Sequence, residues 1–237
     1  MSMGTRSMSD HPRNKDPDQS SAGGPWDVSV GISVGSEHIT AVQTSSHINV
    51  TTFFAPIVER ASLLLQAVII PGSKTAEGTL IKAVAAPWYD IIALLKDNPG
   101  IAFQIPPDKW EEIIAAAYKR SGFEEVTLTP RSGDHGRDVI AIKRESPGGP
   151  WIGTVRIIDQ VKAFNPRHLV TANDVRALMG VLQADHAASK GIVTTTSDFA
   201  PRVRDDPYIA PLIPYRLELI NGPELFGRLR ALTEGKS

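Results

Sequence analysis

The second half of the chain alternates apolar and polar positions in a regular order. Apolar side chains recur at helical spacing in residues 109–121 and 173–189, and β-branched residues recur at strand spacing between and after them. This pattern predicts an α/β fold, a mixed central sheet flanked by helices. The predicted elements are a helix at 109–121, strands at 124–129, 137–143 and 154–162, a helix at 173–189, strands at 191–196 and 216–220, and a helix at 224–232.

The first hundred residues follow a looser pattern. Residues 1–25 are rich in Ser, Asp, Pro and Gly, and we predict a disordered tail because such a segment cannot bury a core. We further predict strands at 28–34 and 39–42, a helix at 57–70 that ends before Pro71, and a helix at 87–97. The chain is therefore divided into a tail (1–25), a small N-terminal accessory α+β region (26–100) and a larger domain (101–237).

Composition narrows the class of protein. The absence of cysteine excludes disulfides and thiolate metal sites, and it is compatible with a reducing cytoplasm. The longest nearly apolar run, residues 63–70, is far shorter than the ~20 residues that a membrane helix needs. The N-terminus also lacks the apolar core of a signal peptide. We therefore expect a cytoplasmic protein with no membrane partner.

Charge is unevenly distributed along the chain. The formal net charge of −1 argues against a protein that coats nucleic acid indiscriminately. Residues 119–176 nevertheless carry ten basic against seven acidic side chains, whereas residues 1–118 are net negative and residues 177–237 are balanced. If the protein binds DNA, this middle segment is where we expect the contact.

Three polar side chains in this middle segment form a candidate reactive group. Asp138 lies at the start of the second predicted strand of the domain, and Gln160 and Lys162 lie two residues apart near the end of the third. Gln160 and Lys162 therefore point to the same face, where Asp138 can meet them if the two strands pair. A carboxylate, an amide oxygen and an ammonium suit metal-assisted phosphodiester hydrolysis. Considered alone, Asp138 could equally close a turn, and Lys162 could be an exposed strand-end lysine.

Short motifs around these residues resemble the Mrr branch of the PD-(D/E)xK restriction-endonuclease-like nucleases. The resemblance covers residues 106–232, and it depends on the order and spacing of the motifs. The matching motifs are Trp110-Glu111, Gly122-Phe123, the Ser-Gly-Asp-x-Gly-x-Asp segment at 132–138, Gln-x-Lys at 160–162, Thr-x-x-Asp-Val-Arg at 171–176, the strand at 190–199 and Leu-Ile-Asn-Gly at 219–222.

The resemblance implies roles for individual residues. Asp138 would be the main metal ligand, Lys162 the catalytic lysine, and Gln160 would replace the usual acidic residue. The main-chain carbonyl of Val161 would be a further ligand, and Glu111 would complete the site. Glu111 could instead belong to a helix capping box that starts at Asp108. Glu112 is the alternative to Glu111.

Two positions depart from the family pattern. Arg137 stands where the proline of the PD element is expected, and Gln160 removes one negative charge from the metal ligands. An amide oxygen still binds a hard cation, so metal affinity should depend more heavily on Asp138 and Glu111.

The resemblance implies an Mg²⁺-dependent endodeoxyribonuclease of the restriction type, with Mn²⁺ as a substitute metal, which acts on double-stranded DNA that is foreign or modified. Cleavage of both strands needs two active sites, which is consistent with a homodimer. Two alternatives share the fold: a DNA-binding or sensor module that cleaves weakly, and a repair or junction-resolving nuclease.

Overall fold

Seven strands form one sheet in the computed structural model, which describes residues 62–130, 136–145 and 153–235. The strands lie side by side in chain order. They are β1 (Ile69–Lys74), β2 (Thr79–Val84), β3 (Glu125–Leu128), β4 (Val139–Glu145), β5 (Gly153–Lys162), β6 (Lys190–Thr195) and β7 (Leu217–Ile220). The helices are α1 (Ala86–Asp97), α2 (Pro107–Arg120), α3 (Ala172–Ala184) and α4 (Gly222–Thr233), with short 3-10 helices at Pro99–Gln104 and Ala210–Leu212.

The direction of pairing changes at β5. Strands β1 to β5 pair antiparallel, whereas β5, β6 and β7 run parallel. Helix α3 makes the crossover from β5 to β6, as a parallel connection requires. The predicted mixed sheet with flanking helices is confirmed, and so is the order of elements from α2 onwards. The start of β4 and the ends of β5, β6 and β7 therefore lie side by side at the same end of the sheet.

Helices cover the two faces of the sheet unequally. One apolar core packs α1, α2 and α4 against the first face and includes the buried indoles of Trp88 and Trp110. Each indole N–H donates to a main-chain carbonyl, that of Ile113 or Ala102, at 3.0 Å. A second core packs α3 and the β6–β7 connection against the opposite face. The two faces are called here the α2 face and the α3 face.

Strands β1 and β2 correct two predictions. Residues 69–74 form an edge strand, so the helix predicted at 57–70 is wrong over its last residues, and β2 was not predicted at all. Pro71 fits because an edge strand needs no N–H at that position, and the register shifts there. Both strands belong to the sheet, and the described residues all fall within one compact unit, residues 49–237. Residues 69–97 are thus continuous with the larger domain.

Helix termini differ from two sequence expectations. Helix α2 begins at Pro107 after Pro106, so Asp108 lies within its first turn and does not cap it. Helix α3 ends at Ala184, because Asp185 leaves the helix and its carboxylate binds the backbone N–H of Ala187. The predictions for residues 1–61, which include the disordered tail and two strands, lie outside the described residues. Within the described ranges, no helix combines the length and apolar character needed to cross a bilayer.

Candidate active site

The backbone of Asp138 is held between two strands just before β4 begins. Its N–H donates to the carbonyl of Asp159 at 3.1 Å, and its carbonyl accepts from the N–H of Thr129 at 3.1 Å. The last paired residues of β4 and β5 are Val139 and Asp159, so Asp138 and Gln160 each stand one residue beyond them. Strand pairing therefore brings these two predicted site residues together.

The carboxylate of Asp138 extends the ladder by one hydrogen bond. Its Oδ2 accepts from the backbone N–H of Val161 at 2.6 Å. Val161 lies between Gln160 and Lys162, so the carboxylate lies against the β5 backbone between the two side chains that the sequence grouped with it. This short, charge-assisted bond fixes the carboxylate in place.

Gln160 and Lys162 share the α3 face of β5. Side chains alternate along a strand, and Ile158, two residues before Gln160, belongs to the core under α3. Gln160 is buried, and its amide oxygen has no hydrogen-bond partner within the described part of the chain. A buried acceptor without a donor is costly and unusual, and it is frequently explained by a missing ion or water.

Gly136 explains how Gln160 fits beside the turn that leads to Asp138. The backbone of Gly136 has φ of +81°. A Cβ atom at this position would lie 2.8 Å from Nε2 of Gln160. Any side chain here would push the amide away, and only glycine adopts this conformation without strain.

A divalent cation fits the oxygens at this site. The Asp138 carboxylate and the unpartnered Gln160 amide oxygen are hard ligands of the type that Mg²⁺ prefers. In the described ranges, no three acidic or histidine side chains form a metal-binding group. A metal here would need the amide oxygen, main-chain oxygens or water in addition to carboxylate.

Glu111 and Glu112 lie on α2, which covers the opposite face from Gln160 and Lys162. The proposed capping-box role of Glu111 is wrong, because the helix begins before Asp108 and its first residue is preceded by Pro106. Glu112 is held by Lys109 in an ion pair of 2.6 Å, and the Lys109 ammonium also donates to the carbonyl of Gln66. The Glu112 carboxylate is therefore already bound by a cationic side chain of its own helix.

Asp159 is a buried carboxyl on the α2 face. Its Oδ2 accepts hydrogen bonds from Tyr118 Oη at 2.7 Å and from Thr194 Oγ1 at 2.9 Å. Burial raises the pKa of Asp159 to about 8, an effect that the two hydrogen bonds oppose and the charge of Asp138 reinforces. Burial and the neighbouring Asp159 also raise the pKa of the Tyr118 phenol. The surroundings of Asp159 therefore favour its protonated form.

An ion network lies on the α3 face beside Arg137. The Arg156 guanidinium is almost fully buried and binds Glu77 at 2.5 Å and Asp185 at 3.1 Å. The Arg137 guanidinium lies 3.9 Å from the same Asp185 carboxylate. These four side chains line an open cleft of about 540 Å³. The network ties the β1–β2 hairpin to β5 and to the end of α3.

Neither Thr129, Gly136 nor Asp159 was identified as a site residue from the sequence. In the sequence, Gly136 is one position of the 132–138 motif and Thr129 is the last residue of a predicted strand, and neither pattern predicts a place in the site. Asp159 precedes Gln160 directly, but strand alternation gave no reason to expect a buried acid on the other face. Residues 131–135, for which the sequence predicts a turn, lie outside the described part of the chain.

Comparison with known proteins gives one family and two distant structures. The family model described as Mrr_cat, restriction endonuclease, matches residues 103–229. A structure of MspJI restriction endonuclease in complex with a 27-mer oligonucleotide is similar at 21% identity and a TM-score of 0.40, and the match covers 64% of this chain and 32% of that one. The DNA modification-dependent restriction endonuclease AspBHI is similar at 17% identity and a TM-score of 0.38, covering 72% and 43%. The chain therefore matches less than half the length of either. No curated protein matches the sequence significantly.

Proposed function

Because the chain belongs to the restriction endonuclease family Mrr_cat, we propose that it is a metal-dependent endodeoxyribonuclease that hydrolyses phosphodiester bonds in double-stranded DNA. The single observation that carries the proposal is the amide oxygen of buried Gln160, which has no hydrogen-bond partner among the described residues and belongs to a residue that stands, like Asp138, one position beyond the last β4–β5 pair. A divalent cation would satisfy that oxygen, and when bound it polarises the phosphate and activates water.

In this proposal, each side chain has a separate task. Asp138 and Gln160 hold the metal, together with the main-chain carbonyl of Val161. To complete the site, the Glu111 carboxylate would have to reach past the end of the sheet from α2, which packs on the other face. Mg²⁺ is the proposed ion, and Mn²⁺ can replace it because both prefer oxygen ligands. Asp138 supplies the negative charge, and its bond to the Val161 N–H keeps it oriented. Gly136 leaves the space in which the Gln160 amide lies.

Lys162 has the complementary task. It shares the α3 face with Gln160, so its ammonium can reach a phosphate bound there. A cation at this point stabilises the charge that develops on the phosphate and orients the attacking water. DNA affinity would come mainly from other basic side chains, since many phosphate contacts contribute to it.

A cleavage assay tests the proposal directly. Purified protein is incubated with methylated and unmethylated plasmid, with Mg²⁺, with Mn²⁺ and with EDTA. We expect nicked or linear DNA with either metal and intact plasmid with EDTA. Tight DNA binding without cleavage under any divalent metal would instead support a sensor module on the same fold. Comparison of the two plasmids shows whether modification matters.

A further inference from the structure

Four consecutive hydroxyl side chains run along the end of β6 and into the residues after it. Each donates a hydrogen bond toward β5 or the segment that follows β5. Thr194 binds Asp159 Oδ2 at 2.9 Å and Thr195 binds the carbonyl of Lys162 at 2.8 Å. Thr196 binds the carbonyl of Phe164 at 2.6 Å, and Ser197 binds that of His168 at 2.8 Å. All four donors are buried.

The row spans the point where the regular ladder stops. The last pair of β5 and β6 is Lys162 with Thr195. On the other side of β5, the β4 ladder has already ended at Val139 and Asp159. The carbonyl of Lys162 accepts three hydrogen bonds: from Thr195 Oγ1 at 2.8 Å, from the backbone N–H of Phe164 at 2.8 Å and from the backbone N–H of Thr196 at 3.3 Å. Thr195 Oγ1 is the side-chain donor among these three.

The Thr195 side chain is itself fixed. It is fully buried, and besides donating to Lys162 it accepts the N–H of Ser197 at 3.2 Å. Thr195 also pairs with Lys162 across the parallel strands, so the two side chains point to the same face. These two hydrogen bonds fix the orientation of the Thr195 hydroxyl, so it holds the Lys162 carbonyl in one position.

We propose that Thr195 is a positioning residue for Lys162, with Thr196 and Ser197 holding the segment that follows. The inference rests on the proposed nuclease function, since it assigns Lys162 a task that depends on placement. The carbonyl of Lys162 is one bond from its Cα, so the hydroxyl that anchors the carbonyl also fixes the base of the long side chain. Small displacements of a reacting group lower rates strongly while leaving substrate affinity unchanged.

The four hydroxyls could instead serve only to stabilise the end of the sheet. A structural role and a positioning role predict different effects on melting temperature and on cleavage rate. A purely structural role predicts lower melting temperature with normal single-turnover rate per folded molecule. A positioning role predicts a lower rate with normal DNA affinity, and recovery when any hydroxyl is restored.

The test compares variants of the full chain in single-turnover cleavage with Mg²⁺ and in gel-shift binding. Thr195→Val keeps the shape and removes the hydroxyl, and we expect the rate to fall by about 10- to 100-fold with unchanged DNA affinity. Thr195→Ser restores the hydroxyl and should recover most of the rate. Thr127→Val is the matched control, because Thr127 is a buried threonine on β3, away from Lys162. It should cut at the wild-type rate.

The outcomes separate this inference from the proposed function. If Thr195→Val cuts normally while Lys162→Ala is inactive, positioning by Thr195 is wrong and the nuclease proposal stands. If Lys162→Ala cuts normally, the catalytic role proposed for Lys162 is wrong, and the positioning role of Thr195 is overturned with it. If Thr195→Val does not fold, Thr196→Val decides by the same measurement, since it releases the carbonyl of Phe164, two residues after Lys162 in the same segment. A normal rate in that variant would also overturn the inference.

Discussion

The carboxylate of Asp138, the residue just before β4, accepts the backbone N–H of Val161 at 2.6 Å, beyond the last β4–β5 pair. The side chain thus makes the hydrogen bond that the next residue of a longer strand would have made. This arrangement combines two roles in one residue. It secures the end of the β4–β5 ladder and fixes a negative charge beside Gln160 and Lys162.

Asp138→Asn separates these two roles. The amide oxygen of asparagine can still accept the Val161 N–H, so we expect little change in melting temperature. The charge that binds the metal is lost, so metal-dependent cleavage should fall to background. Asp90→Asn is the control, because Asp90 is an exposed carboxylate on α1, and it should cleave normally. Wild-type cleavage by Asp138→Asn would remove Asp138 from the active site.

Gly136→Ala tests the space beside Gln160. Both Gly136 and Gly122 have positive φ, at +81° and +86°, so alanine at either position should cost a similar strain of about 1–2 kcal/mol. Only at Gly136 would the new Cβ meet the Gln160 amide, at 2.8 Å, whereas a Cβ at Gly122 meets nothing within 4 Å. We expect similar melting temperatures and a loss of cleavage in Gly136→Ala alone. Equal activity in the two variants would show that the Gln160 amide need not stay where it is.

Much of the fold could be predicted from the sequence because its strongest patterns are local. Helix α3 and helix α4 start at capping boxes, Thr171 with Asp174 and Asn221 with Glu224, which are visible as short motifs. Strand β1 was missed because its apolar residues continue the helical spacing of those before it. Which strands meet at a sheet edge is a long-range property, and periodicity carries no information on it.

The candidate site was predictable only in part, for a related reason. Asp138, Gln160 and Lys162 were grouped because strand alternation and a known motif agree. The hydrogen bond from Val161, the approach of Gly136 and the hydroxyls after β6 depend on pairing distances. The run of three threonines and a serine belongs to a predicted strand and to a family motif, but neither predicts the hydrogen bonds that its hydroxyls make to the neighbouring segment.

Gln160→Glu should change metal binding more than turnover. The variant restores a carboxylate at a buried position next to Asp138. Without metal, two adjacent carboxylates repel, so we expect a lower melting temperature in EDTA than for wild type. With Mg²⁺ the added charge should increase affinity, visible as a larger Mg²⁺-dependent rise in melting temperature, and cleavage should persist. A folded but inactive variant at saturating Mg²⁺ would mean that Gln160 serves as a hydrogen-bond donor to DNA.

Asp159 predicts an unusual dependence of stability on pH. Its pKa is raised from 3.8 to about 8 in the folded protein, mainly by burial. The folded state therefore holds a proton that the unfolded state releases above about pH 4. This group favours folding fully below that pH, and its contribution is lost as pH rises toward 8. The slope is at most about 1.4 kcal/mol per pH unit for one proton.

Asp159→Asn should remove that dependence. Both Tyr118 and Thr194 donate to the same oxygen, so an amide oxygen can accept both bonds without a charge. Melting temperatures measured in EDTA from pH 5 to pH 9 should fall less steeply for the variant, and the variant should be more stable than wild type above pH 8. Parallel curves for the two proteins would show that Asp159 is ionised when folded.

Lys162 should be needed for turnover and dispensable for binding. Its ammonium is proposed to act on the water and on the charge that develops in the transition state, and such contacts lower the barrier with little effect on ground-state affinity. Loss of one well-placed electrostatic group typically lowers the rate by about 10²- to 10³-fold. Lys162→Ala should therefore still shift DNA in a gel, with a nearly unchanged salt dependence, while failing to cut it. Lys162→Arg should recover little cleavage activity. A planar guanidinium cannot take the position of a compact ammonium when the backbone of this residue is held by Thr195. Full cleavage with weakened binding would make Lys162 an ordinary phosphate contact, and the catalytic cation would then have to be sought among the neighbouring basic residues, beginning with Arg137.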